Sequence, residues 1–195
     1  YHGIPRGFKP PLNNTSKQGV LMLGGDSHQK NPENMLKAWA QLPKELQKAH
    51  PLTILGFVGG EDSIISKTIR ALGIENDIVI KGWVTEDELI QAMQTSKVFI
   101  FASREEGFGF PLVQSMASGT PVVTSEADVL IEIGQDAVCS AKAEDFLALS
   151  SAVRSLLTDE KLYNEKVQKG LTISSKFTWE HTAEHIASTY LTLLK

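Results

Sequence analysis

The sequence predicts an α/β fold, an open parallel sheet with helices on both faces, from three observations. Short apolar runs alternate with segments whose apolar residues recur at helical spacing. The runs are apolar at consecutive positions, as strands buried on both faces are. Glycines stand where the runs end, at Gly24-Gly25, Gly56, Gly82, and Gly107 with Gly109. Right-handed crossovers make such a sheet Rossmann-like, with ligands held outside the carboxyl ends of its strands.

Each element has its own signal. Val20-Leu21-Met22-Leu23 is a strand running into Gly24-Gly25. Asn31 as N-cap and Pro32 at the first helical position open a helix whose apolar face is Met35, Leu36, Trp39 and Leu42. Leu52-Thr53-Ile54-Leu55 is the second strand. Ile64, Ile65, Thr68, Ile69 and Leu72 form the next helix face, stopped by Gly73. Ile78-Val79-Ile80 is the third strand, and Thr85 with Glu88 makes a capping box before Leu89, Ile90 and Met93. Val98-Phe99-Ile100-Phe101 leads into the loop Ser103 to Gly109, with Pro111 as the first residue of the helix that follows. Gly119 ends that helix and Pro121-Val122-Val123 begins the fifth strand. Ala137-Val138-Cys139 suggests a sixth. Helical patterns fill Ala143 to Leu157, Asp159 to about Ser174, and Thr178 to Leu194.

Composition narrows the function. With 195 residues the chain can bury a full core as one domain. Its net charge of −4 offers no basic field for nucleic acid or an anionic membrane, so any anion must be held locally. One cysteine, Cys139, excludes an intrachain disulfide framework and fits a cytoplasmic location. No apolar run approaches the ~20 residues of a membrane span. The start, YHGIPRGFKP, is turn-rich, lacks a signal-peptide core and reads as the beginning of a fragment.

The stretch SREEGFGFPLVQSMASGTPVV, Ser103 to Val123, carries the chemistry. It places Glu106, Gly107 and Gly109 between a strand and a helix start. Unpaired N–H groups at a helix start favour anions, and glycine lets a ligand approach the main chain. That is a phosphate cradle with one carboxylate beside it, suited to a sugar nucleotide. Lys30, in the loop after the first strand, can neutralise phosphate oxygens as a flexible point charge. Each has a structural alternative: Lys30 as a solvated loop lysine, and Ser103 with Glu106 as a capping box, which Gly107 and Gly109 weaken. Trp39, Trp83 and Trp179 read as packing groups. His181 and His185 lack a third partner for a metal.

These residues resemble a known family, the C-terminal, donor-binding domain of family 4 glycosyltransferases (glycosyl transferases group 1), retaining enzymes of the GT-B fold. His2-Gly3-Ile4 looks like that family's interdomain turn, and Leu23-Gly24-Gly25 through Lys30-Asn31-Pro32 like its first glycine loop with lysine. Gly82-Trp83-Val84 matches its glycine-aromatic-valine segment, EGFGFP its acid-glycine signature, and Phe177-Thr178-Trp179-Glu180 the start of its closing helix.

The resemblance implies one half of a GT-B architecture: residues 1–19 as interdomain hinge, 20–177 as donor-binding domain and 178–195 as closing helix. The acceptor domain would be an N-terminal partner domain absent from this chain. It implies catalytic roles for Lys30 and Glu106, with Lys30 on the donor diphosphate and Glu106 on sugar hydroxyls. Gly24 and Gly25 would line the donor site, and backbone groups of Lys81, Gly82, Trp83 and Val84 would meet the nucleobase. Backbone N–H groups along Gly107, Phe108, Gly109, Phe110, Pro111, Leu112 and Val113 would cradle sugar and diphosphate, Pro111 having none to give. No metal or other cofactor is implied, only an NDP-sugar donor substrate.

Two positions depart from the pattern. Gln114 stands where the family has a second glutamate, a ribose ligand, and a neutral hydrogen bond there contributes about 0.5–1.5 rather than 1.5–3 kcal/mol. Gly25 stands where many members have arginine. The alternatives to a donor-binding glycosyltransferase half are a non-catalytic nucleotide- or partner-binding module degenerate at Gln114, or half of a GT-B-type nucleotide-sugar epimerase.

Overall fold

A computed structural model describes residues 1–12 and 16–193. In chain order the elements are β1 (Val20–Leu23), α1 (Pro32–Ala40), α2 (Lys44–Ala49), β2 (Leu52–Leu55), α3 (Ile64–Leu72) and β3 (Ile78–Lys81). Then come α4 (Glu86–Thr95), β4 (Val98–Phe101), α5 (Phe110–Ala117), β5 (Val122–Ser125) and α6 (Asp128–Gly134). After a 3-10 turn at Gln135–Ala137 follow β6 (Cys139–Ala141), α7 (Phe146–Thr158), α8 (Glu160–Ser174) and α9 (Trp179–Leu193).

All six strands are parallel, in the order β3-β2-β1-β4-β5-β6. The chain works outward from β1 to β3, then returns to lay β4 against β1 on its other side, with Val20 beside both Leu52 and Val98. The loops after β1 and β4 diverge at that switch, where open α/β sheets form their ligand crevice.

Strand side chains alternate between two cores. Val20, Met22, Leu52, Ile54, Val98 and Ile100 pack with α1, α3 and α7, while Leu21, Phe99, Phe101 and Val122 pack with α5 and α6. This is the doubly covered sheet that the consecutive apolar runs predict. β3 departs from it: as an edge strand it leaves Val79 and Ile80 nearly half exposed. Its apolar run is that of a buried strand, and only its place in the sheet makes it an edge.

Local chemistry sets several boundaries. The Thr85 hydroxyl accepts from Glu88 N–H while the Glu88 carboxylate accepts from Thr85 N–H at 2.7 Å, the capping box read from sequence. Gly73 and Gly119 adopt φ of 63° and 69°, ending helices in the left-handed region. α5 begins at Phe110, one residue before Pro111, and the sixth strand lies two residues beyond its expected start. The sequence reading misses α2 and α6, which have six and seven residues and so barely two turns of periodicity to show. It extends the last helix to Leu194, which lies outside the described residues.

Candidate functional site

Lys30 and Glu106 come from loops 76 residues apart and meet: Lys30 Nζ donates to Glu106 Oε1 at 2.7 Å. The Glu106 side chain is only 10% exposed and the Lys30 side chain 38%, so the ammonium is the solvent-facing partner of a largely enclosed carboxylate. No helix begins at Ser103, and Glu106 stands in the loop between β4 and α5.

The glycines divide by what surrounds them. A Cβ on Gly24 would lie 2.7 Å from the backbone of Phe57, so Gly24 allows the loops after β1 and β2 to touch. A Cβ on Gly25 would lie 2.6 Å from Lys30 Cγ, so a glycine at this position makes room for the lysine stem. Gly109 has φ of 85°, and a Cβ there would strike Leu130 Cδ2 at 2.8 Å. A Cβ on Gly107 would meet open space. Gly109 is needed by the turn, whereas nothing among the described residues needs Gly107.

The cradle is shorter than the sequence suggests. Leu112 and Val113 are fully buried, and their N–H groups donate to the Gly109 carbonyl at 2.9 and 3.4 Å. With Pro111 lacking an N–H, the groups free of any acceptor among the described residues are those of Gly107, Phe108, Gly109 and Phe110. They sit at the N-terminus of α5, whose dipole favours an anion. The Gln114 side chain makes no hydrogen bond among the described residues and is half-buried.

Lys81 ends β3, and Gly82, Trp83 and Val84 follow it. Gly82 O accepts from Gly56 N–H at 2.9 Å, extending the β2–β3 ladder and holding this loop at the same sheet end as Lys30 and Glu106. The packing role read for Trp83 is overturned: its side chain is 82% exposed. Trp39 does pack, at 0% exposure, with Nε1 donating to His50 O. Trp179 is half exposed and contacts His2 edge-on. Trp39 alone of the three stands on an apolar helical stripe, with Met35 and Leu36, and that stripe faces the core.

Asn31 occupies the N-cap position of α1 but does not cap it. Its φ is 55°, its side chain makes no capping bond, and it is fully buried. Its Nδ2 instead donates to Ala102 O at 2.9 Å and Ala143 O at 2.7 Å, which sequence reasoning missed. Ser103 Oγ, close by, is buried without a hydrogen-bond partner.

His181 lies on α9, its Nδ1 3.0 Å from the Lys176 carbonyl. Among the described residues no three His, Cys, Asp or Glu side chains converge as a metal site would require, and no helix is long and apolar enough to cross a membrane. An apolar hollow lined by Ile4, Phe8, Ala117, Leu171, Phe177 and Trp179 shares no residue with the Lys30–Glu106 site. That site lies at the carboxyl ends of β1 and β4.

Comparison with known proteins fits this geometry. Residues 5–173 match the family model described as "Glycosyl transferases group 1". The chain is 29% identical over 171 residues to O-antigen chain mannosyltransferase B of Escherichia coli, covering 88% of this chain and 45% of that protein. Among solved structures, sucrose-phosphate synthase from Thermosynechococcus elongatus aligns with a TM-score of 0.82 at 21% identity, over 99% of this chain and 51% of that one. The Anabaena protein HepE, crystallised with UDP and glucose, aligns with a TM-score of 0.80 at 20% identity, over 96% of this chain and 56% of its own. The chain thus spans about half the length of each of these three proteins, and the structural likenesses are those of GT-B proteins.

Proposed function

This chain belongs to the glycosyl transferases group 1 family, and from that premise we propose that it is the donor-binding half of a retaining glycosyltransferase. The observation that carries the proposal is the Lys30–Glu106 pair, set beside four free N–H groups at a helix start. Lys30 holds the diphosphate, joined by the α5 N-terminus. Glu106 accepts hydrogen bonds from sugar hydroxyls, and backbone groups of Lys81 to Val84 meet the base.

Breaking the bond between sugar and diphosphate builds negative charge on the leaving oxygen. Lys30 and the N–H groups of Gly107 to Phe110 are preorganised against that charge, so the chain's own groups stabilise departure without a metal. The acceptor attacks the face that the diphosphate leaves, and the anomeric configuration is retained.

A second half of the protein supplies the acceptor site. One feature supports this: α9 buries none of its residues while exposing Trp179, Ile186, Tyr190 and Leu191. Beyond its first turn, such a face has no burying partner among the described residues. The E. coli relative is by name a mannosyltransferase, so a mannosyl nucleotide is the first donor to try.

The test is a thermal-shift titration of this chain with UDP, GDP and ADP, alone and as mannosyl or glucosyl derivatives, with Lys30→Ala as control. A ligand at a hundred times its Kd adds about 2.7 kcal/mol, which raises the midpoint by roughly 5–10 °C. A shift with one nucleotide, lost in Lys30→Ala, supports the reading; no shift, with the other half of the protein also present, refutes it.

A further inference from the structure

We infer that Asn31 is a positioning residue for Lys30, locking the lysine loop and the glutamate loop into one body; this rests on the donor site proposed above. Asn31 adopts φ 55° and ψ 40°, a left-handed conformation that costs a residue with a Cβ. Pro32 restricts its neighbour's backbone further. Asparagine tolerates the left-handed region better than most residues. Its chain reversal ends the turn in which Lys30 N–H and Asn31 N–H bond back to Ser27 O, and separates that turn from α1.

The side chain explains why the residue is asparagine and not glycine. Its amide is fully buried, and its two N–H groups satisfy Ala102 O at the root of the Glu106 loop and Ala143 O in the loop after β6. Its Oδ1 accepts from Asn34 Nδ2 at 2.8 Å, which fixes the orientation of the amide. Other ties join the same two loops. Arg104 N–H donates to Gln29 O at 2.8 Å, Gln29 Nε2 donates to Glu105 O at 3.1 Å, and the Arg104 guanidinium donates to His28 O. Asn31 is the buried member of this set and adjoins Lys30 in the chain. It registers the residue before it against the loop that carries Glu106.

Asn31→Gly tests this, because glycine keeps the left-handed turn without strain while removing the amide. Two readings are made. The first is the Kd for UDP, GDP and ADP in wild type, Asn31→Gly, Lys30→Ala and the double variant. Positioning through Lys30 predicts about tenfold weaker binding in Asn31→Gly, the scale of one charge-assisted hydrogen bond. It also predicts less than about twofold further loss when Lys30 is already alanine. A general loosening of the fold would weaken binding equally in both backgrounds and would overturn the inference, as would unchanged binding in Asn31→Gly.

The second reading is a crystal structure of Asn31→Gly, in which the Lys30–Glu106 hydrogen bond is expected to be broken. Finding that pair intact overturns the inference too. If the wild type binds no nucleotide, the donor-site reading fails, and the crystal structure alone decides the role of Asn31. Should Asn31→Gly not fold, Asn34→Ala removes only the bond that orients the amide and takes both readings in its place.

Discussion

Lys30 Nζ stands 2.7 Å from Glu106 Oε1, so the two groups proposed for opposite parts of one donor hold each other. On the proposed function, a bound donor parts them. Free nucleoside diphosphate draws Lys30 away and leaves an enclosed carboxylate without its cation, whereas a nucleotide-sugar gives Glu106 hydroxyl groups in exchange. On that reading the pair is expected to favour donor over spent product.

Glu106→Gln removes this competition. The variant is expected to bind free nucleoside diphosphate about fivefold more tightly than wild type, while losing the preference for the sugar-bearing form. Titration calorimetry with both ligands measures it. Weaker binding of both would show that the pair aids diphosphate capture and does not oppose it.

The two loop glycines separate stability from binding. Gly109→Ala places a Cβ at φ 85° and 2.8 Å from Leu130, and is expected to destabilise the fold by about 1–3 kcal/mol. Gly107→Ala points its methyl into open space, so its urea midpoint should match wild type while donor affinity falls. Equal donor affinity in Gly107→Ala would mean that no ligand approaches the main chain there.

Trp83 offers an optical readout of the base position. Its side chain is 82% exposed, beside the backbone assigned to the base, whereas Trp39 is buried. A binding nucleoside diphosphate should change tryptophan emission, Trp83→Phe should abolish most of the change, and inorganic diphosphate should not produce it. A full signal in Trp83→Phe would place the base elsewhere.

Stability should rise with pH above 8 through Lys17. Burial, and then the nearby Lys97 charge, lower its pKa from an ordinary 10.5 to about 8. Between those values the unfolded chain holds a proton that the folded chain has released, so unfolding becomes less favourable as pH rises. The urea midpoint of wild type is expected to increase more from pH 7.5 to 9.5 than that of Lys17→Met. Parallel behaviour would show that Lys17 keeps its proton in the fold.

The legible parts of this protein were those with local causes. The Thr85–Glu88 capping box, the glycine stops at Gly73 and Gly119, and the apolar runs of β1, β2, β4 and β5 depend on residues a few positions apart. So did the motifs that matched the family. Trp83 is misread because exposure depends on what lies across the fold, which the residues a few positions away do not report.

The sequence by itself determined the order of strands and helices, the glycine loops at the strand ends, and the presence of one lysine and one glutamate in those loops. Tertiary structure decided that the two loops face each other, because β4 returns past two strands to pair with β1. It also decided that Asn31 joins loops rather than capping a helix, since its amide partners lie 71 and 112 residues away. Within the stretch Gly107 to Val113 it left only the N–H groups of Gly107 through Phe110 without an acceptor among the described residues. Local spacing dictates what an element is. Only sheet order brings distant polar groups within hydrogen-bonding distance, and there the site is made.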